Sequence, residues 1–424
     1  MKRMIAMNKP LAQVDPEIYS IINGELERQQ TTLMMIPSEN YASLAVLQAQ
    51  GSVMTNKYAE GYPGQRYYNG CQFMDKAESL AIARCKELFG VEHANVQLNA
   101  GASANMCVYY GLLQHGDRIL AMNLDHGGHL THGKDINFSG KYYTFSAYGV
   151  SKKSEVLEID EIAALAREHK PKMIVVGASA YPRTIDFEQW HRVAAEVGAL
   201  LMADISHIAG LIAAGVHPNP APWCDVITST THKTLRGPRG AIIMCKQQYA
   251  KQIDKAVFPG IQAGPLMHAI TAKAVCFKEA MGEEFKADQK QTIVNCRRLA
   301  DVFKKRGFRL VTGGTDNHLL MIDLEDRQLD GKVAADLLDA VGIIVNKNMI
   351  PFDKRTPVRP SGIRMGTPAL TTRGMKESEM DLIAGCIADI LENPDSEAVR
   401  KKVQGEIGGL CKRFPIYESL EPKK

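Results

Sequence analysis

The sequence predicts an α/β protein: a large domain with a mostly parallel, seven-stranded sheet between helices, a smaller C-terminal α+β domain and an N-terminal arm. Three observations support this class. A chain of 424 residues exceeds one ordinary core. From about residue 80 to 280, short apolar runs alternate with helix-period segments, and strands alternating with helices form a parallel sheet covered on both faces. Beyond about residue 305 the pattern changes, with Phe308-Arg309-Leu310-Val311, His318 to Asp323 and Gly342-Ile343-Ile344-Val345 set between helix-like segments. The expected division is 1–50 for the arm, 51–285 for the large domain and 286–424 for the small one.

The elements follow in order. Pro16 to Gln30 reads as a helix, and Pro37-Ser38-Glu39-Asn40-Tyr41 as a turn. Asn56 to Tyr68 is polar, aromatic and glycine-containing without a regular period, which fits either a ligand loop or a subunit contact. A strand ends near Gln97, small residues run from Asn99 to Asn105, and a helix continues through Tyr109. That turn offers backbone N–H groups and the positive end of a helix dipole to an anion, or it is only a tight connection. Further strands are read at Asp117 to Met122, Lys172 to Val176, Ala199 to Asp204, Asp225 to Thr228 and Ala241 to Cys245, with a helical region near 265–305. Ligands of parallel sheets gather at the carboxyl ends of the strands.

Composition narrows the function. Hydrophobic residues at 45% and charged residues at 23% fit a soluble globular protein. The net charge of +4 is spread along the chain without a basic block, so no nucleic-acid partner is expected. Nine cysteines without a CxxC pair argue against a disulfide framework or a zinc module and fit a reducing cytoplasm. Met1 to Gln13 lacks an apolar core, and Val197 to Val216 is interrupted by Asp204 and His207, so neither a signal peptide nor a membrane span is expected. Neither GxGxxG nor a Walker A pattern occurs, which removes nicotinamide and P-loop readings.

The chemistry gathers at Ser229 to Gly240, between two apolar runs. Lys233 there is either a Schiff-base amine, its pKa lowered by desolvation and nearby positive charge, or a loop lysine touching a phosphate or carboxylate. Asp204 ends an apolar strand, either solvated or held at the ligand edge for a specific charge. Pyridoxal phosphate would use both: its aldehyde condenses with a lysine, and its ring nitrogen stays protonated beside an acid. His126, His129 and His132 invite a metal. Two glycines break the helix there, and the cysteine and carboxylate ligands usual in metal sites are not expected to join them, so no metal is expected. Arg364, in an apolar run, suits capture of a carboxylate or a structural ion pair.

Taken together, Pro37 to Tyr41, NKYAEGYPGQRYY, HGGHLTHG, ADISHIAG, THKTLRGPRG, GGTDNH, NKN and SGIRMGTPA resemble serine hydroxymethyltransferase, of the aspartate-aminotransferase-like fold. The resemblance implies that Lys233 holds pyridoxal phosphate, Asp204 pairs with its ring nitrogen, His129 stacks on the ring and His207 approaches its phenolic oxygen. It adds Ser179 and the turn Ala100-Gly101-Ala102 to the cofactor set, and His232 beside Lys233 to the catalytic set. Arg364 and Ser38 would take the substrate carboxylate, Glu60 would move a proton, and Tyr58 and Tyr68 would line the site. Leu124, Gly128, Leu130 and Asn348 would bind tetrahydrofolate, the co-substrate. In the family Tyr58, Glu60, Tyr68 and Gly264 come from the neighbouring subunit, which implies a homodimer. The implied reaction interconverts serine and glycine. Folate-independent cleavage of threonine-like or α-methyl β-hydroxy amino acids is an alternative, and a non-catalytic binding or regulatory relative is another.

The chain also departs from the family pattern. Asn99-Ala100-Gly101-Ala102 stands where His-Ser-Gly-Ser or His-Ser-Gly-Ala is usual, and Ile261 and Ala263 replace glycines before Gly264. Each lost hydroxyl donor to a phosphate costs roughly 1.5–3 kcal/mol unless backbone N–H groups, Ser103 or His232 compensate.

Overall fold

The computed structural model describes residues 9–420, so the first eight residues of the expected arm lie outside the described part. Seven strands form the central sheet: β1 His93–Asn95, β2 Arg118–Met122, β3 Thr144–Tyr148, β4 Met173–Val176, β5 Leu200–Asp204, β6 Val226–Thr230 and β7 Ala241–Cys245. Their spatial order is β1-β7-β6-β5-β4-β2-β3, with only β7 antiparallel to its neighbours. The predicted α/β class with a mostly parallel seven-stranded sheet is therefore found.

Side chains alternate between the two faces of a strand. Leu120, Met122, Ile174, Val176, Leu201 and Ala203 enter one core, whereas Ile119, Ala121, Met173, Val175 and Met202 enter the other. Both faces are buried, which is why these strands read as unbroken apolar runs. The edge strand β3 escaped the sequence reading because Thr144-Phe145-Ser146-Ala147-Tyr148 is largely half-exposed and lacks such a run.

The main helices are α1 Pro16–Thr31, α2 Gln72–Phe89, α3 Gly101–Leu112, α4 Ile159–His169, α5 Phe187–Val197, α6 Met267–Ala280, α7 Glu283–Lys305, α8 Glu377–Glu392 and α9 Glu397–Arg413. Asp15 starts α1 by accepting the Ile18 N–H at 3.0 Å, and Pro16 occupies the first turn, where its missing N–H costs nothing. Helices α2, α4, α5 and α6 cover one face of the sheet, and α3 covers the other.

A second sheet holds β8 Arg309–Leu310, β9 Leu319–Asp323, β10 Asn346–Asn348 and β11 Gly362–Gly366, all antiparallel, in the order β8-β9-β11-β10. Helix α7 joins the two halves: Phe285 and Ile293 enter the large core, whereas Cys296, Leu299 and Phe303 enter the small one. Leu33–Met34 pairs in parallel with Ile343–Ile344, so this part of the chain's start packs into the small core. Among the described residues all nine cysteines are unpaired and buried, and no helix is long and apolar enough to cross a membrane.

Arg373 fastens the ends of α1 and α9. Its guanidinium is buried and donates to the carbonyls of Thr32 at 2.9 Å, Gln30 at 3.1 Å, Cys411 at 3.2 Å and Phe414 at 2.8 Å. Removing it strands several buried acceptors at once. Arg373→Met is expected to lower the unfolding free energy by about 3 kcal/mol, read as a lower urea midpoint at unchanged slope. A loss below about 1 kcal/mol would mean that water reaches these carbonyls.

Candidate active site

Loops leaving the carboxyl ends of β1, β2, β4, β5 and β6 meet at a cavity of about 290 Å³, whose lining includes Gly101, His129, Ser179, Asp204, His207 and Lys233. These residues come from five separate segments, and the sheet brings them together.

Asp204 ends β5 and lies almost wholly inside the protein. Its Oδ2 accepts from Asn105 Nδ2 at 2.9 Å and from His132 Nε2 at 3.3 Å, and its Oδ1 accepts from the Ser206 hydroxyl at 2.6 Å and N–H at 3.2 Å. Burial acts to raise its pKa, but the bond from His132, the charges of His132 and His129 and the Asn105 bond outweigh it, and the carboxyl falls well below its usual range. Asn105 is itself held, its Oδ1 accepting from the Thr228 hydroxyl at 2.7 Å.

Backbone donors set the histidine tautomers. His132 Nδ1 accepts the His129 N–H at 3.3 Å, so its Nε2 carries the proton given to Asp204. His129 Nδ1 accepts the Thr131 N–H at 3.2 Å and lies 2.8 Å from the Thr131 hydroxyl. Burial pulls His129 down to about 4, so the ring is neutral near pH 7. His232 also falls to about 4 and His318 to about 3, each mainly through burial, and buried His207 falls well below its ordinary value. His207 Nδ1 stands 3.3 Å from His318 Nε2.

Lys233 follows β6. Among the described residues its Nζ has no hydrogen bond or ion pair. Burial pushes its pKa down to about 8; Asp204 opposes the shift, and Arg364 and Arg239 add to it. Arg364 projects from β11, donating Nη1 to the Ser179 carbonyl and Nη2 to Asn346 Oδ1 at 3.0 Å. Its Nε is buried without a partner, and among the described residues it has no carboxylate. The structural ion pair that the sequence left open is therefore not formed, and the guanidinium is available for an external carboxylate. Ser38 lies in the turn beside Pro37, which packs against Gly366, two residues beyond Arg364.

The turn from Asn99 to Gly101 is tight. A Cβ on Gly101 would stand 2.8 Å from Thr230 Cγ2, so only glycine leaves room there. Ala100 caps α3 from the non-helical side, with Ala102 exposed in the first turn. Ser103 does not replace the lost donors: its hydroxyl donates to the Ala100 carbonyl at 2.8 Å and accepts the Ala100 N–H at 3.1 Å. His232 Nδ1 is buried and without a partner.

The other sequence-predicted residues form two groups. Tyr58 and Tyr68 meet edge to face at 5.2 Å, Glu60 raises the Tyr68 hydroxyl, and a Cβ on Gly264 would stand 3.0 Å from Tyr58 Cζ. Arg66 holds this loop, donating to the carbonyls of Ala59 and Gly61 at 2.8 Å and pairing with buried Glu78 at 2.5 Å. Among the described residues no hydrogen bond, ion pair or ring contact joins Tyr58, Glu60 or Tyr68 to Lys233, Asp204 or Arg364. Leu124, Gly128 and exposed Leu130 lie in the loop after β2, and Asn348 ends β10. His126 and Phe352, 4.6 Å apart, bring these two segments face to face.

One expectation needs correction. A carboxylate does stand near the histidines: the ligand atoms of His129, His132 and Asp204 lie within 4.8 Å of one another. Sequence distance hid it, since Asp204 arrives from another strand. Asn105 and Thr131 were not given a role, and His132 was read only as a candidate metal ligand, not as a donor to Asp204; the signal available was an amide in a run of small residues and polar residues in a glycine-rich loop.

A free, depressed lysine, an ionised buried acid, a neutral imidazole and an anion turn that a Cβ would fill fit pyridoxal phosphate, and at the switch region of such a sheet they define a pyridoxal-phosphate enzyme of fold type I. The serine hydroxymethyltransferase family model matches residues 11–387, and the chain belongs to that family. Its members transfer a hydroxymethyl group between serine and glycine, with pyridoxal phosphate as cofactor and tetrahydrofolate as co-substrate.

Two outcomes follow from this geometry. The Lys233 amine of the cofactor-free protein should react with added pyridoxal phosphate at a rate that rises with pH as the ammonium deprotonates and levels off above about 8, well below the 10.5 of an ordinary lysine. Stopped-flow absorbance checks it, and a rate still climbing at pH 10 would contradict it. Ala102→Ser, which restores a hydroxyl in the first turn of α3, should tighten cofactor binding by about one decade in a spectral titration.

Proposed function

We propose that this protein interconverts serine plus tetrahydrofolate with glycine plus 5,10-methylenetetrahydrofolate. The observation that carries the reading is Arg364, whose Nε is buried without a partner, which has no carboxylate among the described residues and whose charge adds to the depression of Lys233. A cation in that state needs an anion, and an amino-acid carboxylate beside the reacting amine fits it.

Bound pyridoxal phosphate supplies an electron sink for the pair released when the Cα–Cβ bond of serine breaks. Lys233 holds the cofactor and gives way to the substrate amine, with His232 beside it. Asp204 keeps a proton on the ring nitrogen, His129 covers the ring face, and Ser179 and His207 bound the cofactor pocket. The α3 N-terminus at Ala100, Gly101 and Ala102 takes the phosphate. Arg364 and Ser38 fix the carboxylate and so set which Cα bond lies perpendicular to the ring. Glu60 moves the proton of the serine hydroxyl, with Tyr58 and Tyr68 alongside, and Leu124, Gly128, Leu130 and Asn348 receive the folate.

Among the described residues no hydrogen bond, ion pair or ring contact joins Tyr58, Glu60 or Tyr68 to Lys233, which supports a homodimer in which they and Gly264 complete a neighbour's site. A cytoplasmic setting suits the nine unpaired cysteines. The cofactor turn, short of one or two hydroxyls and with Ser103 already engaged, supports weaker cofactor retention than the family pattern gives. Glu60, Tyr67-Tyr68 and Asn348 favour folate transfer over folate-independent cleavage of a bulkier β-hydroxy amino acid. Lys233, Asp204, His129 and Arg364 together disfavour a non-catalytic relative.

Serine cleavage by the purified holoenzyme should accelerate strongly on adding tetrahydrofolate; equal rates with and without it would favour the folate-independent reaction. Lys233→Gln should abolish steady turnover. Arg364→Lys should raise the KM for serine about 100-fold, through loss of bidentate capture worth about 3 kcal/mol, with a smaller change in kcat.

A further inference from the structure

Beneath the cavity lies a second lysine, to which the function above gives no role. Lys273, on α6, is 1% exposed. Its Nζ donates to the carbonyls of Val96 at 2.7 Å, Leu98 at 2.8 Å and Ala241 at 2.9 Å. Three acceptors match the three N–H bonds of an ammonium, whereas a neutral amine would turn its lone pair on one of them. No carboxylate pairs with it among the described residues. Burial pushes its pKa down to about 7, and Glu78, whose charge opposes that shift together with the three carbonyls, is itself engaged by Arg66 and by Gln97 Nε2 at 2.7 Å.

The three carbonyls belong to the two segments that frame the cofactor cradle. Val96 and Leu98 precede the turn at Asn99-Ala100-Gly101, and Ala241 begins β7 immediately after the Lys233 loop. Gly240 closes on the lysine itself, since a Cβ there would stand 2.6 Å from Lys273 Cε and 3.1 Å from its Nζ. The Gly240 carbonyl accepts the Thr231 N–H at 3.0 Å, two residues before Lys233. One turn further along α6, the Cys276 thiol donates to the Leu235 carbonyl at 3.3 Å, and a Cβ on Gly237 would meet its Sγ at 2.6 Å. One face of α6 thus underlies the whole loop from Thr231 to Gly240.

We propose that Lys273 is a positioning residue that acts as a tethered monovalent cation: its ammonium draws the ends of β1 and β7 together and thereby sets the Ala100–Ala102 turn against the Lys233 loop. The ligand chemistry is that of a small cation among backbone carbonyls, supplied by the chain's own side chain. The inference rests on the reading of these two segments as the cofactor cradle. Truncating the side chain leaves a cavity faced by three carbonyl oxygens, which an external ammonium ion fits and a tetramethylammonium ion does not.

The test compares Lys273→Ala, Lys273→Met and the unmodified chain in ammonium, sodium and tetramethylammonium chloride at equal ionic strength. The melting temperature of the cofactor-free protein and the dissociation constant for pyridoxal phosphate, from spectral titration, are both measured. In sodium, both variants are expected to melt lower and to bind the cofactor at least tenfold more weakly. Ammonium should restore K273A several-fold in both readouts while leaving K273M and the unmodified chain unchanged. A K273A chain that is insoluble in sodium but folds in ammonium supports the proposal; one that folds no better in ammonium overturns it. Stability rescued by ammonium with unaltered cofactor affinity overturns the positioning role. Failure of the folate reaction itself appears separately, as an unmodified chain that binds cofactor but does not cleave serine.

Discussion

A single negative charge kept ionised inside the protein is the constraint on which the site depends. Burying a carboxylate costs on the order of several kcal/mol, and the Asp204 carboxylate is retained because three side chains and a backbone N–H donate to it. The donors come from α3, from the loop after β2 and from the turn after β5. Meeting this one requirement fixes the relative placement of three segments. Asn105 serves twice, since the amide that bonds Asp204 also reaches Thr131, whose N–H sets the His129 tautomer.

Around that anion the balance is positive. Lys233, Arg364 and Arg239 act on one another through the cavity, while burial keeps His129, His207, His232 and His318 neutral near pH 7. One buried acid against these cations suits ligands that carry a phosphate and a carboxylate. The neutral histidines add donors and ring faces without adding charge repulsion. Burial depresses Lys233, and Arg364 and Arg239 add to the shift, so charges that suit an anionic ligand also favour the neutral amine.

The support beneath the site is built from backbone carbonyls. Lys273 bonds the carbonyls of Val96, Leu98 and Ala241 around the start of β7, and Arg373 bonds those at the ends of α1 and α9. In each case a buried cation satisfies acceptors that secondary structure leaves open. Gln262, between Ile261 and Ala263, donates to the Gln97 carbonyl at 2.9 Å and accepts the Asn99 N–H at 3.1 Å.

The sequence by itself determined the α/β class and six of the seven central strands, because strands buried on both faces must be apolar throughout. It also singled out Lys233, Asp204 and Arg364, since a charge at or beside an apolar run is conspicuous. The edge strand β3 was not legible, for an edge needs no such run. The roles of Asn105 and Lys273 were not legible either, nor was the partner of His132, because nothing local distinguishes an amide or a helical lysine that will be buried, or says which acid an imidazole will meet. Only the tertiary structure decided that Arg364 has no carboxylate among the described residues, that Ser103 is spent on its own helix cap, and that no bond among those residues joins Tyr58, Glu60 or Tyr68 to Lys233. These outcomes depend on which groups meet across the sheet. Periodicity reports the burial of a segment, whereas partnership is set by packing between residues as far apart as Asn105 and Asp204.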